Sequence, residues 1–227
     1  MATTITLPLA EAAEAVAAVT PHLSKDDVTP LITQAAIVTK DGTSHLVATD
    51  RYSVGTVKLT RSPDDTENDM LLTLPVLGWI AAIKPTTLRK ATVLDTRYAV
   101  RLTVTPTTPA TSGFSLVELL VVSDPAADLS EATEVERSQR FDPPYVPATG
   151  FPPVLRLFNL EPVTEASPVS LSLANLAKIT AYMTKRNQRE EGAKFTLLRS
   201  EQQGRPGPVL VEVGVLRALL QPNLLLR

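Results

Sequence analysis

The chain has 227 residues, 44% of them hydrophobic and 20% charged, enough to pack one large domain or two small ones. Its net charge of −2 excludes a surface that traps nucleic acid as a whole, so any DNA contact has to come from a local basic stripe. The absence of cysteine excludes disulfides, thiolate catalysis and zinc–thiolate sites, and fits a reducing compartment. The opening stretch has no basic n-region, and Glu11 and Glu14 interrupt its apolar run, so it is not a signal peptide. No stretch approaches the roughly 20 uncharged apolar residues that cross a bilayer. The expectation is a cytoplasmic protein without membrane contact.

In chain order, Thr3 to Leu7 reads as a strand. Leu9, Ala12, Ala13, Val16 and Val19 then fall on one helix face, and Pro21 stops that helix. Three strand-like runs follow, Ile32 to Thr39, Ser44 to Thr49 and Val54 to Thr60, with a turn at Lys40-Asp41-Gly42-Thr43. The order then recurs. Met70 to Leu74 is a strand, Val76, Trp79, Ile80 and Ile83 form a helix face ended by Pro85, and Ala91–Thr96, Ala99–Thr105 and Phe114–Ser123 are strands. A third copy starts with a strand at Val169–Leu173. Leu173, Leu176, Ala177, Thr180 and Met183 form its helix face, and Lys194–Arg199, Pro208–Val213 and Leu216–Leu225 are its strands. A repeat of roughly 60 residues with one element order describes units that share sheets and cover them with helices. Asp124 to Gly150 fits no copy: the charged run from Ser130-Glu131 to Arg140 is expected to form a short helix, and Phe141 to Pro147 a proline-stiffened linker.

The interruption Thr49-Asp50-Arg51-Tyr52 separates two good strands. Gly, Asn or Asp-Gly would supply positive-φ freedom at a plain hairpin turn, and Arg51 and Tyr52 do not. They supply a cationic fork and an amphipathic ring, groups suited to recognition. Enzyme motifs are absent: there is no P-loop and no G-x-S-x-G, and His22 and His45 match no metal or triad spacing. His45 reads as a half-buried structural residue. The acidic run Asp64, Asp65, Glu67, Asp69 lacks the glycine and distal glutamate of a calcium loop and reads as a solvated hairpin tip. No catalytic residue, metal site or cofactor is expected.

Four stretches in order resemble the bacterial sliding clamps of DNA replication: DDVTPLITQAAIVTKDGTSHLVATDRYSV, LLTLPVLGWIAAIK, GFPPVLRLF and VLRALLQPNLLLR. The resemblance covers most of the chain outside roughly 107–113 and 124–149. It implies an α+β DNA clamp fold of repeated β-α-β-β-β units, with helices on one face of antiparallel sheets. Residues 1–123 would form a first domain of two units, 124–160 an insertion, linker or decayed unit, and 161–227 a second, shortened domain. Bacterial clamps have three domains per chain and close as two chains. This shorter chain would close as a homo-oligomeric trimer or tetramer, and its length and divergence point to a phage-encoded version.

The resemblance further implies a non-enzymatic processivity factor that encircles double-stranded DNA without reading sequence and tethers a DNA polymerase and a clamp loader through linear motifs. Lys178, Tyr182, Lys185 and Arg189 recur at 4-3-4 spacing with Arg186 beside them, and Lys84, Arg89 and Lys90 follow the second helix. By itself this pattern reads first as a solvated helix face with cations near a C-terminus; together with the resemblance it implies contact with DNA phosphates. Glu11 and Glu14 do not suit a phosphate-facing surface. The peptide groove carried over by position comprises Ile32, Thr49, Arg51, Tyr52, Ser53, Val54, Pro152, Arg156, Leu157, Leu219, Leu220, Pro222 and Leu224. Taken singly, its aliphatic members read first as core, whereas Arg51, Tyr52 and Arg156 do not. The alternative function is a clamp-like binding module that does not encircle DNA and regulates or mimics a host clamp.

Overall fold

The computed structural model describes residues 2–60, 69–83, 97–106, 113–122, 129, 132, 134–142, 150–164, 169–185, 192–200 and 205–222. Strand β1 (Thr3–Pro8) leads directly into helix α1 (Leu9–Val19), whose register follows the apolar spacing of the sequence. A 3₁₀ turn at Thr20–His22 and another at Pro30–Thr33 precede β2 (Ala35–Lys40), so the strand expected from Ile32 starts three residues later. Proline at the first position of that turn explains the delay, since its fixed φ suits a helical turn better than an inner strand. Then come β3 (Thr43–Thr49) and β4 (Ser53–Leu59). Asp41 (φ 51°) and Gly42 (φ 71°) make the tight β2–β3 turn.

The second unit comprises β5 (Met70–Leu72), α2 (Leu74–Ala82), β6 (Arg97–Pro106), β7 (Gly113–Val122) and β8 (Glu134–Phe141). β8 replaces the helix expected for the charged run to Arg140. Its residues are mostly exposed, but it pairs with β7 along its length and ends a sheet, where charges protect an open edge. The strand expected at 91–96 and most of the acidic run lie outside the described residues. The third unit has α3 (Leu173–Lys185), β9 (Lys194–Leu197), β10 (Val209–Val213) and β11 (Leu216–Leu220). The strand expected at Val169–Leu173 does not form: Val169–Ser172 is irregular and α3 begins at Leu173.

The first two units exchange their leading strands. β5 joins the sheet of the first unit and β1 that of the second, giving the orders β5-β2-β3-β4 and β1-β6-β7-β8. The first sheet then continues through an antiparallel β4–β11 pair into β10 and β9, making seven strands. The helices lie on one side of the sheets over the main core, with Ile5, Val16, Ile37, Leu77, Leu102, Ile179 and Leu216 among its buried members. On the opposite face of the seven-stranded sheet, a smaller core of Val47, Val54, Leu198, Leu210 and Leu219 is covered by a strap from Phe151 to Leu160. The strap includes a 3₁₀ turn at Val154–Asn159.

Gly55 in β4 shows how tightly the first unit is packed: a Cβ there would lie 2.5 Å from Cδ2 of the buried His22 ring. Gly55→Ala is expected to destabilise the fold by about 1–3 kcal/mol, because the ring has no room to retreat. Urea unfolding of the variant beside the parent chain checks this; an unchanged midpoint would contradict it.

Candidate functional site

The turn between β3 and β4 is built around Asp50. Its Oδ1 accepts the backbone N–H groups of Tyr52 (3.2 Å) and Ser53 (2.8 Å), and the Thr49 hydroxyl donates to the Ser53 carbonyl at 2.9 Å. Arg51 sits at φ 75°, so the turn does use the left-handed region, and a bulky residue occupies it. Such strain persists only where surrounding structure holds it. Here Thr49 Oγ1 accepts the Arg51 N–H at 3.2 Å, and the guanidinium bonds to Thr29. Tyr52 is thereby projected outward, 64% exposed.

Below the turn lies a dense polar cluster. Lys178 of α3 forms an ion pair with Asp50 and donates to Ser53 Oγ at 2.7 Å and to Asn175 Oδ1 at 3.2 Å. The Ser53 hydroxyl donates to Asp50 Oδ1 at 2.9 Å. Its oxygen is left to accept from Lys178 and from the Nδ1–H of His22, 3.1 Å away. Burial, then the nearby Lys178 charge, pushes the His22 pKa down to about 3, with Asp50 opposing. For Asp50, burial alone would raise the pKa. Hydrogen bonds from Lys178 and Ser53 and the ammonium charge outweigh it, and the carboxyl stays below its ordinary value. His45 is half-buried, its pKa lowered by desolvation and by Lys58, Arg217 and Lys40.

This cluster corrects the reading of the third helix. Lys178 is half-buried and held by partners of its own protein, and Tyr182 is fully buried with its hydroxyl donating to Glu14 Oε1 at 3.2 Å. The buried stripe of α3 is Asn175, Ile179 and Tyr182; of the residues expected to face the core, Leu176 and Met183 do pack on it, partly buried, whereas Leu173, Ala177 and Thr180 are exposed. The face is rotated because a lysine and a tyrosine with partners are worth burying, and periodicity counts only apolar residues. The same bonds account for the acids of α1: Glu14 receives Tyr182, and Glu11 Oε1 accepts the Thr60 N–H at 2.5 Å. Lys84, Arg89, Lys90, Arg186 and Arg189, and the Lys185 side chain, lie outside the described residues.

The lip formed by Arg51 and Tyr52 separates two open clefts. One, of about 960 Å³, runs along the β4–β11 junction and is lined by Arg51, Tyr52, Ser53, Val54, Leu157, Leu219 and Pro222 from the expected groove. The Gln221 N–H donates to the Tyr52 carbonyl at 2.8 Å and fixes the lip to the strand's continuation. Ile32, Thr49 and Leu220 do not line it: they are 2%, 3% and 0% exposed and serve the interior. Pro152 and Arg156 lie on the strap outside the cleft wall, and Leu224 is outside the described residues. Asp50, Leu160, Asn175, Arg205, Pro206, Pro208 and Gln221 are among its other wall residues. Of these, Arg205-Pro206-Gly207-Pro208 had a legible signal, a proline-stiffened loop around a glycine. A Cβ at Gly207 would lie 1.9 Å from the Leu198 carbonyl oxygen. The second cleft, about 800 Å³, lies between the lip, the Thr20–Asp26 segment, Leu74 and α3. Among the described residues no group of acidic, histidine or cysteine side chains could hold a metal ion.

The cluster sets a pH dependence. His22 has a lowered folded pKa, so the unfolded chain binds the extra proton between about pH 6.5 and 3, and stability falls with pH across that window. Asp50 adds a loss at the acid end, since its pKa is also lowered and its contribution disappears as pH falls through the folded value. The His22 part amounts to up to about 1.4 kcal/mol per pH unit. Urea midpoints measured from pH 7 to 4 are expected to fall steeply for the parent chain and more gently for His22→Gln; parallel curves would contradict the assignment. Lys178→Met, which leaves Asp50 without its cation, is expected to cost about 3 kcal/mol at pH 7.

No protein-family model matches the sequence, and no curated protein matches it. Solved structures do match. The DNA polymerase sliding clamp of Bacillus subtilis aligns with TM-score 0.57 at 10% identity, covering 98% of this chain and 65% of the clamp. The Pseudomonas aeruginosa sliding clamp, bound to griselimycin, aligns with TM-score 0.56 at 10% identity and the same coverages. The Caulobacter crescentus sliding clamp aligns with TM-score 0.54 at 13% identity, covering 97% of this chain and 65% of that one. The chain thus spans about 65% of the length of the clamps it matches. With strand-exchanged β-α-β-β-β units, helices on one side of the sheets and alignment along nearly its whole length, the protein has the fold of the bacterial DNA sliding clamps.

Proposed function

We propose that this protein is a non-enzymatic sliding clamp, a processivity factor that surrounds duplex DNA as a homo-oligomeric ring and tethers a DNA polymerase through a linear peptide. The observation that carries the reading is the cleft at the β4–β11 junction. There an exposed tyrosine and an arginine stand over Val54, Leu157, Leu219 and Pro222, pairing apolar surface with polar handles. That composition suits an extended peptide anchored by one or two apolar side chains. The clamp fold supports the DNA part of the reading. With Lys178 and Tyr182 engaged by partners within the protein, the phosphate contacts fall to Lys185 and, further along the sequence, Arg186 and Arg189, and to Lys84, Arg89 and Lys90, which follow α2 in the sequence. Clamp loader contacts would use the same cleft.

Tyr52→Ala is expected to weaken binding of the cognate polymerase's linear-motif peptide by about 1–3 kcal/mol, the range for losing an aromatic anchor, while oligomer mass stays unchanged. Peptide titration by calorimetry with light scattering of each variant checks it. Normal peptide binding, or loss of the oligomer, would remove the groove assignment. Reversing the charges of Lys185, Arg186 and Arg189 is expected to reduce retention on circular duplex DNA for all sequences alike and to flatten its salt dependence. Parent-level retention would remove α3 from the DNA-facing surface.

A further inference from the structure

The face of the seven-stranded sheet turned away from the helices has two parts. One carries the small core under the strap. The other carries charge. The strand register puts Lys194 of β9 opposite Glu212 of β10, Glu212 opposite Arg217 of β11, and Arg217 opposite Thr56 of β4. Two residues along β4, Lys58 stands directly opposite His45 of β3, and His45 opposite Val38 of β2, two residues before Lys40. Side chains two apart in a strand share a face, so all of these lie on the side of Val47, Val54 and Leu219. The result is a stepped row, Lys40, His45, Lys58, Arg217, Glu212 and Lys194, that crosses six neighbouring strands in the order β2-β3-β4-β11-β10-β9. At about 4.8 Å per strand spacing it is about 24 Å long.

Opposite charges across a ladder stabilise a sheet, and like charges there destabilise it. Most of this row gathers like charges. It holds four cations and one acid, Glu212, which Arg217 at 3.3 Å and Lys194 at 3.6 Å share. Asp41 and Asp69, whose Oδ1 accepts the Thr39 N–H at 3.0 Å, stand at the Lys40 end. Burial, then the charges of Lys58, Arg217 and Lys40, hold the His45 pKa down. Its Nδ1 is enclosed with no partner among the described residues, whereas its Nε2 is not enclosed. A bare acceptor is easier to bury than a bare N–H, so the ring proton belongs on Nε2, where it adds a donor to the row. Arg217 also lies over the Phe158 ring of the strap, 5.4 Å from its centroid. A guanidinium fork and an aromatic ring thus stand together where the strap meets the row.

We propose that this row binds the phosphodiester backbone of a single-stranded nucleic acid. The cations and the His45 N–H meet successive phosphates, and a base stacks beside Phe158 and Arg217. The donors suit an oxyanion: a guanidinium fork takes two of its oxygens, ammonium groups take others, and one bound phosphate relieves the mutual repulsion of Lys58 and Arg217. A single strand fits better than a duplex because the row is one charge wide and runs beside the strap, which stands where a second backbone would lie. The row is on the face opposite the helices, away from α3 and the cations that follow it. Leu157 of the strap lines the peptide cleft, whereas its neighbour Phe158 meets the row. The proposal goes beyond the clamp reading and depends on neither the ring nor the peptide.

Fluorescence anisotropy with a labelled oligo-deoxythymidine of about 12 nucleotides, within the usual span of such sites, tests the row. The parent chain is expected to bind it with log K falling against log salt by about 0.7 per phosphate met. Lys58→Gln combined with Lys194→Gln removes two exposed cations and should flatten that slope by about 1.4, with an unchanged circular dichroism spectrum. Reversing the charges of Lys185, Arg186 and Arg189 should leave this binding in place. Proton NMR reads the row from within, because the chain has two histidines and His22, with its pKa of about 3, stays neutral near pH 6. The oligonucleotide is expected to raise the His45 pKa, since a phosphate beside the ring favours its charged form. No binding by the parent, equal binding of a duplex of the same length or of poly-glutamate, or an unchanged His45 titration overturns the proposal. So does a slope indifferent to the Lys58 and Lys194 changes, or binding lost with the Lys185, Arg186 and Arg189 reversal. Binding that appears only once Asp64, Asp65 and Glu67 are made neutral would assign the row to that run of the same chain, and overturns it as well.

Discussion

The ion pair between Asp50 and Lys178 holds the architecture together at the point where its parts meet. Asp50 shapes the β3–β4 turn through backbone N–H groups, and Lys178 belongs to a helix 128 residues further along the chain. Charges partly withdrawn from water are most stable when their lone pairs and protons have partners. Ser53, Asn175 and the turn's backbone N–H groups meet that requirement for the two charges. One cluster therefore fixes the turn, seats α3 against the first unit, and projects Arg51 and Tyr52 into solvent. The cleft keeps its shape because its polar floor, Asp50, Ser53 and Asn175, is tied together through Lys178.

Strand exchange is the second constraint. A leading strand of three to six residues has too little of its own to pair with, so it is stable only on a sister unit. Two units in one chain satisfy each other, and the third satisfies part of its need by extending the sheet of the first across β4 and β11. The strap from Phe151 to Leu160 covers the outer face of that junction and adds a second layer of apolar contact where two hairpins meet.

Much of this was legible in the sequence. The repeat, nearly all strand positions among the described residues and the interrupted turn followed from periodicity and turn chemistry, and seven of the groove residues do line the cleft. The failures have physical causes. β8 was hidden because an edge strand exposed on both faces carries no apolar alternation, so its charges read as a solvated helix. The face of α3 was misread because Lys178 and Tyr182 are inward by virtue of partners that are distant in sequence. Thr49 and Leu220 look like cleft residues in one dimension. In three dimensions the strand's two-residue alternation sends Leu219 outward and Leu220 inward. Arg51 at positive φ broke the expectation that such a turn demands glycine, and the bonds to Thr49 and Thr29 explain how it is held there.

The β4–β11 pair has a mechanical consequence. Four consecutive residue pairs, Arg217–Thr56 to Leu220–Ser53, join the two halves of the chain as one sheet, backed on one side by helices and on the other by the strap. A hinge needs a few backbone torsions free to turn, and a continuous ladder covered on both faces offers none. The curvature of the chain is thus set once, during folding. Any bending of the molecule has to happen elsewhere, because this junction carries load as a single plate.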